Sequence, residues 1–430
     1  MLYTVSRRAL LLSLVSLVAA CGGRGGPADP PTGLTVTAGD GQVVLSWNAT
    51  AGVEYWLPYA PQSAFNSPDF TTTAGLRWVT KVTSPYVFSG LINGQTYTFA
   101  LDGRIGNGKG GPLSQVFTLT PRYAGSVWNS DAAFPNPVPM RGIAWGLASD
   151  THSYYLAAGE GGALYKSAND VTSSSLTWTA ITSSNITSHL NAAIYTLGQF
   201  IVVGDGGTVS ASVDLASWTT STLSGTPKLN ALASNGSRVV AVGDGGRIAY
   251  SADGVTWVSA TVPANLTANL YGVTYASSGT WLAVGASGTL LTSGDGITWT
   301  ALTSGVSTDL RGVAYRAATT VTTTIPTAAT TTTAAAYVLV GAGGVVLYST
   351  DPVNGTWTAR TSNTTLDLMA LSSLPNQFLA VGAAGAVVSS ADGLTWTSSP
   401  ISGAGALYGL NNARGQYVAV GAAGANYYSR

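Results

Sequence analysis

A unit of about forty residues recurs along most of this chain, and it limits the fold more than any other feature. Its fullest copy is residues 270–301, LYGVTYASSGTWLAVGASGTLLTSGDGITWTA. In every copy a glycine closes the second apolar run. These glycines are Gly159, Gly204, Gly243, Gly285, Gly341, Gly382 and Gly421, with spacings of 45, 39, 42, 56, 41 and 39 residues. The runs LYGVTY, WLAVG, TLLTS and ITWTA are short, rich in Val, Thr, Tyr and Trp, and bounded by Gly, Ser and Asp, which predicts strands. Four strands per unit at this period predict a β-propeller, LYGVTY innermost and ITWTA outermost, and seven glycines predict seven blades. The seventh copy, LYGLNNARGQYVAVGAAGANYYSR, supplies only three strands. The fourth is expected from GSVWNS (125–130), whose Trp128 matches the recurring tryptophans, so that the two ends of the ring join and leave no bare edge. The turns GDGG (204–207, 243–246) and GAGG (341–344) would need a following helix to cradle phosphate; a strand follows, and hairpin turns are expected. Residues 317–336, AATTVTTTIPTAATTTTAAA, interrupt the fifth copy between its first two strands. Their composition is too simple for a core and predicts a mobile loop, either an O-glycan carrier or a tolerated surface expansion.

A second signature sits between the third and fourth strands: SADGVTW (251–257), SGDGITW (293–299) and SADGLTW (390–396), with SVDLASW (212–218), STDPVNGTW (349–357) and SANDVTSSSLTW (167–178) as looser forms. It resembles the Asp-box, the repeat signature of sialidases and of the photosystem II assembly-factor family, with an Asp-to-Trp spacing one residue shorter. The residue types suit a turn. Asp and Ser accept backbone N–H groups, Gly permits a positive φ, and Trp packs between blades. In Asp-box families these turns lie at the periphery, so the resemblance implies structural roles for Asp214, Asp253, Asp295, Asp351 and Asp392 and for Trp218, Trp257, Trp299, Trp357 and Trp396. The alternative is a ring of small calcium or sugar sites, to which one carboxylate each would bring few oxygens.

The chain opens MLYTVSRRALLLSLVSLVAAC. Arg7 and Arg8 precede an apolar stretch that is too short to span a bilayer and suits a signal peptide over residues 1–20. Leu17-Val18-Ala19-Ala20-Cys21 resembles the bacterial lipobox, which implies cleavage before Cys21, lipidation of that cysteine and attachment to a membrane. Gly22 and Gly23 stand where retained lipoproteins carry aspartate, which by the same resemblance points to the outer membrane. Cys21 is the only cysteine, so no disulfide forms within the chain. Residues 21–31 read as a lipidated cysteine and flexible tether.

Residues 32–122 do not repeat. GLTVTAGDGQVVLSW (33–47) predicts two strands about an Asp40-Gly41 turn. Trp47 late in the second strand, and Leu91 followed six residues later by Tyr97, resemble a fibronectin type III β-sandwich. There the tryptophan sits in the core and the tyrosine closes a corner. The segment 56–78 departs from the family's strand pattern. DGR (102–104) has no assigned role. In secreted bacterial proteins such domains are mostly spacers. The fold class expected for the chain is therefore all-β: a fibronectin type III sandwich over 32–122, then a seven-bladed propeller over 123–430.

Charge is scarce, at 8% of residues, and basic and acidic side chains balance at 18 each. Nothing here would attract nucleic acid. Sialidases use an arginine triad and a tyrosine–glutamate pair. Beyond the leader the only glutamates are Glu54, in the sandwich, and Glu160, in a turn of the first blade with no partner identifiable. No second carboxylate occurs at a pairable spacing, and no His/Cys cluster suits zinc. No catalytic residue, metal or cofactor is expected, and a binding or assembly role is the leading reading. A carbohydrate-active enzyme with an unrecognised site is the alternative. One position varies at the start of each innermost strand: Arg141, Asn191, Asn230, Tyr271, Arg311, Met369 and Tyr408. The next residue is always Gly or Ala. This predicts a composite ligand rim, one residue per blade, or else a simply solvated one. The partners expected are a membrane through the lipid, and a glycan or another envelope protein, for a monomeric chain.

Overall fold

The computed structural model describes residues 25–66, 69–106, 108–168, 176–323, 329–413 and 415–430. Cys21, the leader and residues 169–175 of the first box-like segment lie outside them. Strands and short 3-10 turns make up the regular structure, and no described helix is long and apolar enough to cross a membrane. The chain divides into two compact units. The first comprises the described residues up to Thr35 with Ser46–Tyr86 and Tyr97–Thr118. The second comprises Val36–Leu45, Val87–Thr96 and Leu119–Arg430.

In the first unit, strand Glu54–Ala60 pairs with Arg77–Val82, Tyr97–Phe99 and Asp102–Arg104. Trp47 and Tyr97 are buried. The Trp47 backbone N–H donates to Ser84 Oγ at 2.8 Å, and the indole meets Tyr55 edge-on. The DGR tripeptide is part of this unit's packing: Arg104 pairs with Asp102 at 2.8 Å, and its guanidinium lies 3.7 Å from the Trp56 ring centroid.

In the second unit, seven four-stranded antiparallel sheets are found among the described residues. The best-formed runs Leu270–Tyr275, Trp281–Gly285, Leu290–Ser293, Thr300–Leu302. First strands of successive sheets pack side by side, and Leu407–Ala413 packs back on Met140–Leu147, so the ring closes. The second strands are buried almost throughout, and Trp281–Gly285 and Val239–Gly243 at every residue. Sheets cover both their faces, which is why they read as unbroken apolar runs.

The recurring box is a hydrogen-bonded turn. Ser251 Oγ accepts the Gly254 N–H at 2.8 Å, while Asp253 Oδ1 accepts the N–H groups of Val255 and Thr256 at 2.8 and 2.7 Å. The turns at Asp295 and Asp392 repeat this pattern. At Asp214 it survives without glycine, because Leu215 takes the left-handed conformation with φ 59°. At Asp351 the serine instead donates to the backbone carbonyl of the aspartate. Backbone N–H donors hold the Asp253 carboxyl well below the usual range, Thr256 first, and likewise lower Asp214, Asp295 and Asp351. At Asp392 burial opposes them and they still prevail. Each of three boxes is also clamped to the blade before it. Gln199 donates to the Asp253 carbonyl, Arg238 to that of Asp295, and Arg316 to those of Ala391 and Asp392.

At the ring closure the box is assembled from both ends of the propeller. Asn129–Ser130 pairs with Asn426–Ser429. Ser429 Oγ accepts the Gly125 N–H at 2.7 Å, and Trp128 Nε1 donates to the Gly125 carbonyl at 2.9 Å. Gln377 donates to the carbonyl of Ala124, which stands where the aspartate would be.

Two expectations need correction. Two segments of the threonine-rich insert pair as antiparallel strands, Thr319–Thr323 with Ala329–Thr333, because β-branched threonine favours extended backbone. The box tryptophans are not uniformly wedged between blades. Trp299 and Trp396 are 3% and 2% exposed, while Trp218, Trp257 and Trp357 are half-buried. Trp396 enters a cluster with Val338, Val340 and Phe378, and Trp299 one with Val240, Val242 and Trp281; Trp257 only borders its cluster.

Candidate functional site

Each innermost strand skips one residue in pairing with the second. The register passes from Met140 to Gly142, Leu190 to Ala192, Leu229 to Ala231, Leu270 to Gly272, Leu310 to Gly312, Leu368 to Ala370 and Leu407 to Gly409. The skipped residues are Arg141, Asn191, Asn230, Tyr271, Arg311, Met369 and Tyr408. A bulge of this kind re-aims the side chain it releases. The residue before it is a fully buried Leu or Met. The residue after it is always small; where it is glycine there is no room for more, since a Cβ on Gly272 would lie 2.8 Å from the Arg311 carbonyl oxygen, and one on Gly409 2.5 Å from that of Arg141. The triplet of apolar anchor, free side chain and small residue thus places one side chain per sheet at one end of the channel.

All seven side chains line a single cavity of about 180 Å³, over a lower wall that includes Ile143, Leu232, Val273 and Leu410. The same seven side chains also line an adjoining hollow of about 410 Å³, where Lys228, Asp244 and Asn269 join them. The mouth is polar and aromatic, and the throat is apolar.

The side chains are held in pairs across neighbouring sheets. Arg141 bonds Glu160 at 2.7 Å with its guanidinium 4.8 Å from the Tyr408 ring centroid. Glu160 therefore has a partner, which its isolation in the sequence concealed. Arg311 lies 3.5 Å from Asp309 and 3.7 Å from Asp367, and 5.5 Å from the Tyr271 ring centroid. These contacts preorganise the guanidinium planes. Asn191 and Asn230 are committed differently. The Asn191 amide donates to Asp205 Oδ1 and the Leu229 carbonyl at 2.8 and 2.9 Å, and that of Asn230 to Asp244 Oδ1 and the Leu270 carbonyl at the same distances. Those two brace the rim, and their NH₂ groups are occupied.

A second set of residues lies outside the sequence expectation. His189 Nδ1, Asn269 Oδ1, Asp309 Oδ1 and Asp367 Oδ1 each accept a turn N–H from the preceding sheet, from Gly161, Gly245, Ser287 and Gly343. All four stand immediately before the buried anchor, so aligning the repeats one residue earlier would have found them. The expectation of no pairable carboxylates is also corrected: Asp309 and Asp367, 58 positions apart in sequence, face the same guanidinium. Each has one oxygen bound to a backbone N–H and the other directed at Arg311.

No protein-family model matches the chain, and no curated protein matches it. Solved structures do. YCF48 bound to D1 peptide aligns with TM-score 0.53 and 17% identity over 70% of this chain and 96% of its own. YCF48 from Cyanidioschyzon merolae gives 0.53 and 14% over 70% and 98%. The WD40 β-propeller domain of Doa1 gives 0.55 and 10% over 71% and 97%. The chain carries a β-propeller. At these identities the likeness is one of fold, and function rests on the site.

Proposed function

We propose that this protein is a non-enzymatic binding or assembly factor of the cell envelope, whose seven-bladed propeller takes a segment of another protein at the channel mouth. The observation that carries this reading is the bulge repeated in all seven innermost strands, which delivers one side chain from each sheet, of four chemical types in all, to one cavity. A structural turn keeps its chemistry from copy to copy, as the boxes do; a composite site varies it. The YCF48 neighbour was solved with a peptide of another protein, which favours a protein partner over a glycan. Lipidation at Cys21 would hold the chain on the outer membrane, with residues 32–122 serving as a fibronectin type III spacer.

The test uses the purified soluble chain as bait on detergent-solubilised native membranes. Arg311→Ala and Tyr271→Ala are each expected to weaken capture of the main partner about tenfold, as truncation of a central interface residue does. Stability should change by no more than about 1 kcal/mol, because the Arg311 ion pairs are partly exposed. Capture unaffected by both substitutions would overturn the reading.

A further inference from the structure

Arg141 and Arg311 each face a carboxylate, whereas Arg360 has no ion pair among the described residues. It ends the outer strand Thr358–Arg360, just before the loop leading to the next innermost strand. Its guanidinium lies 5.4 Å from the Tyr348 ring centroid, its Nε is buried with no hydrogen-bond partner, and no carboxylate or carbonyl contact of its side chain is found among the described residues. It borders two adjoining hollows. One, of about 280 Å³, is shared with Asn363, Leu394 and Trp396. The other, of about 720 Å³, runs along the loop to Leu366. The loop is held in shape: Asn363 adopts the left-handed conformation with φ 61° and donates to the Trp396 carbonyl at 2.7 Å. On the flanks, Leu394 and Leu366 are 42% and 38% exposed.

A half-buried guanidinium with no anionic partner of its own is stabilised when an anion completes it. The planar fork favours a planar carboxylate held through two N–H groups. A single positive charge, with no second cation lining either hollow, balances one negative charge better than the two of a phosphate monoester. The exposed leucines ask for an apolar neighbour. We infer that Arg360 is a second recognition site, separate from the channel mouth, for a carboxylate carried beside an apolar side chain in a peptide. It does not depend on the mouth being a binding site.

The test labels arginine side chains with ¹⁵N in the full soluble chain and follows the Nε–Hε signals. Arg360 is assigned from the signal missing in Arg360→Lys. The probes are acetyl-Leu-Glu-amide, acetyl-Leu-Gln-amide and inorganic phosphate. The expected result is a saturable shift of the Arg360 signal with the glutamate probe, at least tenfold weaker with the other two, and weakened about threefold or more by Leu394→Ser. An Arg360 signal that does not move, that responds equally to the glutamine probe, or that responds to phosphate as strongly as to glutamate, would overturn the inference. Mouth variants such as Tyr271→Ala should leave the shift unchanged, so failure here and failure of the mouth reading are separable.

Discussion

Trp396→Ala should lower the free energy of unfolding by about 3–5 kcal/mol, the range for deleting a fully enclosed large aromatic and leaving a cavity. The indole is 2% exposed, contacts the Phe378 ring at 6.5 Å between centroids, and donates to the Gly393 carbonyl at 3.0 Å. It fills space between two sheets of the ring, so the loss loosens both. Trp257→Ala, the same change in the same motif, should cost only about 1–2 kcal/mol, because the indole is only partly buried and borders its cluster rather than filling it. Urea denaturation of the two variants would show this as a large and a small fall in midpoint at unchanged slope. Equal costs would mean that the box, rather than the packing around it, sets the role of its tryptophan.

Gly125→Val is expected to destabilise the propeller by about 3 kcal/mol or more. Gly125 has φ +86°, a conformation that costs a branched residue about 1–2 kcal/mol. An added Cβ would also stand 2.0 Å from Leu379 Cδ1, and overpacking of that kind costs about 1–3 kcal/mol. The position belongs to the turn that joins the first and last strands of the ring, so the damage falls on closure. Thermal unfolding followed by near-UV circular dichroism should show an earlier transition. A second expected symptom is concentration-dependent aggregation, because a released Asn426–Ser429 edge would be free to pair with other chains. The equivalent change at Gly236, where φ is +87° but no atom lies within 4 Å, should show the backbone cost without the clash.

The sheets are legible in the amino-acid order because they repeat. A tryptophan four residues after an aspartate, and a glycine closing a buried run, are periodic signals, and periodicity survives without knowing which copies touch. The rim is legible for the same reason. Arg141 and Tyr408 occupy the same place in two copies, and variation at a fixed place stands out. What happens between copies is not encoded in any one of them. Arg141 meets Tyr408, and Arg311 meets Asp367 and Tyr271, only because the ring brings separate sheets together. The difference between Trp396 and Trp257 is likewise set by the neighbouring blade, since their own motifs differ by a single residue. The threonine-rich insert misleads because its composition speaks against a core, whereas β-branched side chains need none to prefer extended backbone.

The central claim is that the partner meets the mouth and not the periphery. Benzoylphenylalanine placed at Met369, on the rim, and in a second chain at Val255, 37% exposed in a box turn, would test it by photocrosslinking in native membranes. The account predicts a discrete adduct from position 369 and none from position 255. An adduct from position 255 with none from position 369 would contradict it.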